Sequence, residues 1–160
     1  PKLSDGALMD IGSYCIHFLA VLFGRPEKIL SDSIFLSNGV DGAGTILASY
    51  GDKQAELIYS KITDSGLPSQ IQGEKGCMII EECPIIKKVT ILYRNGESEE
   101  LEFESRDNPM IYETRDFIRL IQEKKADHEY LEASEIEMDI SDEVRRQNGI
   151  VFPADKIREQ

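Results

Sequence analysis

Asp10, Tyr14 and His17 stand at i, i+4 and i+7 of the apolar segment LMDIGSYCIHFLAVLFG. In a helix that spacing stacks three side chains on one face. The three types share a chemistry. A carboxylate accepts hydrogen bonds from hydroxyl groups, and a phenol or an imidazole can take or return a proton at a reacting oxygen. Such a stripe is either the polar side of an amphipathic helix or the wall of a pocket. The rest of the segment is apolar nearly all round, so its third face should meet protein or a cavity as well as bulk water, which favours the pocket wall. Gly6 and Gly12 would additionally let a backbone or a ligand come close.

Other chemistries find little support. No Gly-x-Gly-x-x-Gly turn, phosphate loop or Gly-x-Ser-x-Gly elbow occurs, and the two histidines, His17 and His128, are too isolated for most metal sites. No metal is expected. The carboxylates of Glu97 to Glu104 read as a solvated strand face, because calcium loops need ligands converging from a turn. Tyr112 and Tyr130 read as packing residues. Cys15, Cys77 and Cys83 lack Cys-x-x-Cys spacing and read as free thiols in a reducing cytoplasm. Eighteen basic against thirty acidic residues give a net charge of -12, which would repel nucleic acid and anionic lipid. Asp10 and His17 interrupt the longest apolar stretch, so it reads as a core helix and not as a signal or membrane anchor.

The elements that must position the stripe follow from periodicity and punctuation. Ser4 or Asp5 can cap a helix over 7–23, which Gly24 and Pro26 stop. Its expected buried stripe is Leu8, Ile11, Cys15, Phe18 and Leu22. Between Glu27 and Phe103 the runs KILSDSIFL, GTILASY, AELIYSKI, SQIQG, CMIIEE, KVTILYR and SEELEFE, parted by turn residues, predict about six mainly antiparallel strands. Asn95-Gly96 suits a type I′ hairpin, with Leu101 and Phe103 on a buried face. Asn108-Pro109 begins a helix carrying Met110, Phe117, Ile118 and Ile121 on one side. A last helix is expected from Ser134, with Glu137 completing a capping box, to Gly149, with Ile136, Ile140 and Val144 as its stripe. No repeat or linker composition argues for a second domain. The fold class is α+β: one open, predominantly antiparallel sheet with helices packed on one face.

The segment DGALMDIGSYCIHFLAVLFG resembles the signature of the glucose-fructose oxidoreductase, inositol dehydrogenase and MocA family, commonly Gly-Gly-Gly-Ala-Leu-Leu-Asp-x-Gly-x-(His or Tyr). SQIQGEKGCMIIEE resembles the family's Ile-x-Gly-x-x-Gly segment, and GIVFPAD its tail, so the likeness covers nearly the whole chain. It implies a second domain of the kind also found in glyceraldehyde-3-phosphate dehydrogenase, which shapes the substrate site and pairs subunits through its open sheet face. A preceding Rossmann domain would bind NAD or NADP. Carried over by position, Asp10 orients substrate hydroxyls, Tyr14 transfers the proton at the reacting oxygen, and His17 lines the same site. Ser4 and Asp5 replace the family's first glycines.

The resemblance thus implies a substrate-binding and oligomerisation domain of an NAD(P)-dependent dehydrogenase acting on a sugar, polyol or dihydrodiol in the cytoplasm. By this resemblance the Rossmann domain, with its Glu-Lys-Pro lysine, and the strand before the signature segment lie outside these residues, so the chain is expected to start mid-domain at Pro1. Alone it should bind no cofactor and catalyse nothing. Two rivals remain: a free-standing binding or dimerisation module that has lost the cofactor domain, and an acidic scaffold on which Asp10, Tyr14 and His17 are ordinary surface.

Overall fold

The computed structural model describes residues 6–103 and 108–157. Chain contacts gather into two compact units, 1–64 with 129–160 and 65–128. The α+β antiparallel architecture expected from the strand and helix patterns is present, but its strands form two sheets rather than one. β3 ends at Ser60 and β4 begins at Ser69, and the stretch between them, with its Ser65-Gly66-Leu67-Pro68 turn residues, belongs to neither sheet.

The first unit contains β1 (Lys28–Phe35), β2 (Asp41–Ser49) and β3 (Gln54–Ser60) in that order, all antiparallel. Two helices cover one face, α1 (Ser13–Phe23) and a helix of 18 residues, Leu131–Asn148, referred to as α3. Strand alternation decides what they cover. Ile46 and Ala48 of β2 and Tyr59 of β3 point inward and join Leu8, Ile16, Leu19, Ala20, Ile136, Ile140 and Val144 in one buried core. Burying apolar side chains of this size contributes about 1.5–3 kcal/mol each. The α3 stripe is the expected one. The stripe expected for the first helix is not: Ile11 and Leu22 are exposed, while Gly12, Ile16, Leu19 and Ala20 are buried. A helix apolar on most faces gives periodicity little to discriminate, and a π turn over Leu8–Gly12 shifts the register before α1 begins.

The first helix runs over 7–23 as expected, and one boundary differs for a local reason. α3 starts at Leu131, so Ser134 lies inside it and bonds back to the Tyr130 carbonyl at 3.0 Å, and Glu137 is released from any capping box. Gly149 ends the helix in the left-handed conformation, φ +68°, as expected. The expected caps Ser4 and Asp5 lie outside the described residues. Asp41 at the head of β2 meets the helix start, its Oδ2 accepting the Leu8 N–H at 2.7 Å.

The second unit contains β4 (Ser69–Gly73), β5 (Gly76–Glu81), β6 (Lys88–Tyr93) and β7 (Ser98–Glu100), again antiparallel neighbours in chain order, and helix α2 (Met110–Gln122). Asn108 caps α2 through its Oδ1, 3.1 Å from the Met110 nitrogen. The Asn95-Gly96 hairpin forms, but only Gly96 has positive φ, and Gly96 N–H bonds to the Tyr93 carbonyl. That is a type I turn followed by a left-handed glycine, in place of the expected type I′ turn. β7 is wholly exposed and Phe103 is 44% exposed, so the expected buried face of that strand is nearly absent. Glu104, at its end, lies outside the described residues.

Candidate active site

The candidate residues sit on a helix start that is built from distant parts of the chain. Asp41 is 4% exposed, and a Cβ placed on Gly6 would fall on its carboxylate. Gly6 is therefore required for Asp41 to close over the first free N–H groups, where a carboxylate also meets the favourable end of the helix dipole. One turn on, Ser13 N–H bonds to the Leu8 carbonyl across five residues, widening the helix around Asp10. The widened turn rests on Tyr59. Its ring is buried beneath Gly12, where a Cβ would stand 3.3 Å from it, and beside Gly44, where a Cβ would strike the phenol oxygen. The Tyr59 hydroxyl lies 3.4 Å from Ser33 Oγ, and burial pushes its pKa up, so it is a structural phenol and not an acid-base group.

On this support the three expected residues take different partners. Asp10 Oδ2 pairs with Lys61 Nζ at 2.6 Å, the lysine arriving from the end of β3. Tyr14, in the first turn of α1, is 56% exposed, and its hydroxyl makes no hydrogen bond among the described residues. His17 Nδ1 lies 2.7 Å from Glu137 Oε2 on α3. A neutral imidazole donating from Nδ1 keeps its lone pair on Nε2, so this contact leaves His17 able to accept a hydrogen bond there. Tyr14 and His17 lie three residues apart within regular helix and are therefore neighbours on its surface. Asp10 lies in the π turn, so the i, i+4 argument that stacked it beneath Tyr14 does not hold at full strength. None of the three bonds to another.

This arrangement can hold a hydroxylated molecule. A charged acceptor, an open phenol and an imidazole nitrogen lie along the outer surface of one helix, with Lys61 adding a donor. Lys61 and Glu137 were missed by sequence reasoning. Lys61 carries no local signal, since its reach to Asp10 depends on where β3 ends, and Glu137 fitted a capping pattern equally well. Among the described residues no group of three or more His, Cys, Asp or Glu side chains could hold a metal ion.

No family model matches the chain. It is 42% identical over 158 residues to the scyllo-inositol 2-dehydrogenase (NADP(+)) IolU of Bacillus subtilis, covering 98% of this chain and 48% of that protein. The trans-1,2-dihydrobenzene-1,2-diol dehydrogenase of Homo sapiens is 30% identical, covering 96% and 49%. The chain belongs to the glucose-fructose oxidoreductase, inositol dehydrogenase and MocA family. It spans about half the length of these relatives, the C-terminal half. The fold agrees: the UDP-N-acetylglucosamine 3-dehydrogenase GnnA of Acidithiobacillus ferrooxidans superposes with a TM-score of 0.74 at 14% identity, covering 92% of this chain and 48% of that one. Asp10 and Tyr14 stand at the start of the helix that Asp41 caps and Tyr59 supports.

Proposed function

We infer that this chain is the substrate-binding half of an NAD(P)-dependent dehydrogenase that oxidises a CH–OH group of a sugar, polyol or dihydrodiol. The observation that carries the reading is the exposed Tyr14 hydroxyl, which bonds to none of the described residues and stands in the first turn of the helix that follows the ion-paired Asp10. Relatives that act on an inositol and on a dihydrodiol support the substrate class, and the NADP(+) in the IolU name supports the cofactor.

Within this half, Tyr14 Oη removes the proton from the reacting hydroxyl. Asp10 accepts a hydrogen bond from a substrate hydroxyl, and His17 Nε2 accepts another. The described residues do not fit a dinucleotide: their strand pairs are all antiparallel, and among them no glycine-rich turn leads from a strand into a helix. The nicotinamide, which takes up the hydride, is held by the other half of the enzyme. Full-length enzyme given NADP+ and scyllo-inositol should produce NADPH. The 160-residue chain should show no heat of binding with NADPH or NADH in titration calorimetry. Micromolar affinity there, or a full-length enzyme inactive toward inositols and diols alike, would contradict the reading.

The enzyme acts in the cytoplasm, a reading supported by three cysteines of which none is in a disulfide. Among the described residues no helix is long and apolar enough to cross a membrane. It assembles as a homodimer through the open face of the first sheet. Leu30 and Ile34 of β1 and Ile58 of β3 pair across β2 with Leu47, Ala43 and Thr45, which places them on the face away from the helices. They are 50%, 61% and 68% exposed. Apolar side chains contiguous on an open sheet mark an interface. Light scattering should report twice the chain mass, and Ile58→Glu should shift it to the monomer while circular dichroism stays unchanged. A wild-type monomer at high concentration would exclude this assembly.

A further inference from the structure

His17 and Glu137 meet from two helices that the core holds in register. Each follows a buried isoleucine: Ile16 on α1 is fully buried, and Ile136 on α3 is 5% exposed. Both isoleucines belong to one core with Leu19, Ala20 and Ile140. A second contact ties the helices further along, where Arg25, just beyond α1, pairs with Asp139 of α3. His17 Nδ1 and Glu137 Oε2 thus stand 2.7 Å apart on fixed supports, with side chains 44% and 23% exposed. A pair this open adds little to folding. Its larger consequence is for the protons of the imidazole. A carboxylate only accepts, so in the neutral ring the proton of this bond sits on Nδ1 and the lone pair on Nε2. The same bond fixes the orientation of the ring, because a flip about Cβ–Cγ would carry Nδ1 away from Glu137. Without such a partner the ring is free to take the other tautomer, which presents an N–H where the lone pair stood.

We propose that Glu137 is a positioning residue, which holds His17 in the tautomer whose Nε2 accepts a hydrogen bond from a substrate hydroxyl. The inference rests on the dehydrogenase reading and extends its site to α3. His17 stands three residues beyond Tyr14 in regular helix and is its neighbour on the surface, so a molecule bonded to Nε2 also reaches the phenol. Glu137 touches no substrate. It acts by deciding which ring nitrogen is the acceptor, as a carboxylate does when it takes the other N–H of a functional histidine.

The test combines nitrogen NMR of isotope-labelled histidine with steady-state kinetics, both on the full-length enzyme at alkaline pH, where imidazoles are neutral. The His17 signals are identified by their loss in His17→Leu. Wild type should show Nδ1 protonated and Nε2 unprotonated. Glu137→Gln keeps an acceptor oxygen and should leave that pattern in place, whereas Glu137→Leu should let the Nε2–H tautomer appear. Kinetics with scyllo-inositol should follow the tautomer. KM should rise roughly 3- to 10-fold in Glu137→Leu, the worth of one hydrogen bond, and stay near wild type in Glu137→Gln. kcat should change little in either, since Tyr14 is untouched, and thermal melting should show both variants folded. In a His17→Leu background Glu137→Leu should add nothing further, a dependence that a purely structural role would not give. A proton on Nε2 in wild type, a KM that folded Glu137→Leu leaves unchanged while wild type is active, or an equal rise in both Glu137 variants overturns this inference and leaves the dehydrogenase reading standing. A wild type that oxidises neither inositols nor diols overturns both.

Discussion

Replacing Tyr14 by Phe in the full-length enzyme should lower kcat by roughly 10²- to 10⁴-fold, the usual contribution of one general acid or base. The substitution deletes a single oxygen. Tyr14 is 56% exposed and its hydroxyl bonds to nothing within the described chain, so no fold-supporting interaction is lost with it. The melting temperature should therefore stay within about a degree or two, as for surface substitutions generally. KM for the polyol should change little, because Asp10 and its ion pair remain. Asp10→Asn should fail differently: it removes a charged acceptor and breaks the ion pair with Lys61, so substrate binding weakens as well. Stopped-flow and steady-state rates on the two variants separate these outcomes. A Tyr14→Phe enzyme that turns over at nearly the wild-type rate would move the proton-transfer role to His17.

The second large effect concerns the support under the site. Gly44→Ala should destabilise the first unit by about 2–4 kcal/mol, at or above the usual range for overpacking a core. The new methyl would strike the Tyr59 phenol, and the carbonyl of Asp32 on the neighbouring strand stands 3.0 Å from the same position. The ring has little room to retreat, because Gly12 and Leu8 close over its other side. Whatever shift it makes is passed to the π turn that carries Asp10. Activity at a temperature where the variant is still folded should thus fall together with stability. Tyr59→Leu in the same chain should relieve the clash, so the pair of changes should cost less than the sum of the two singly. Chemical denaturation of the four proteins supplies the cycle, and strict additivity would show that Tyr59 and Gly44 do not press on one another.

How much of this was legible in the residues differs from level to level. Strand runs bounded by glycine, proline and Asn-Gly predicted about six strands where seven form, and their starts fall within three residues of those observed, because punctuation of that kind is local. The α3 core stripe was legible for the same reason, since Ile136, Ile140 and Val144 stand out against charged neighbours. The first helix was misread in register. Its apolar residues fall on every side, so nothing local separates the buried set from the exposed one, and a single i−5 bond moves the answer by a residue. Partition of the strands into two sheets left no mark beyond an ordinary turn cluster. The candidate site was legible as side chains and illegible as partners. Asp10, Tyr14 and His17 could be singled out by type and spacing, whereas Lys61, Glu137 and Asp41 matter only through contacts that the fold creates. Asp41 in particular reaches the helix start from a distant strand, a contact that no reading of neighbouring residues reveals.

The most direct measurement is a crystal structure of the full-length enzyme with NADP+ and scyllo-inositol bound. The account predicts the Tyr14 hydroxyl within about 2.6–3.2 Å of the substrate oxygen on the carbon facing the nicotinamide, the reach a proton-transfer group needs. It also predicts Asp10 on a hydroxyl next to that oxygen. A polyol bound away from the signature helix, or one whose reacting oxygen is met by another group while Tyr14 faces solvent, would contradict it.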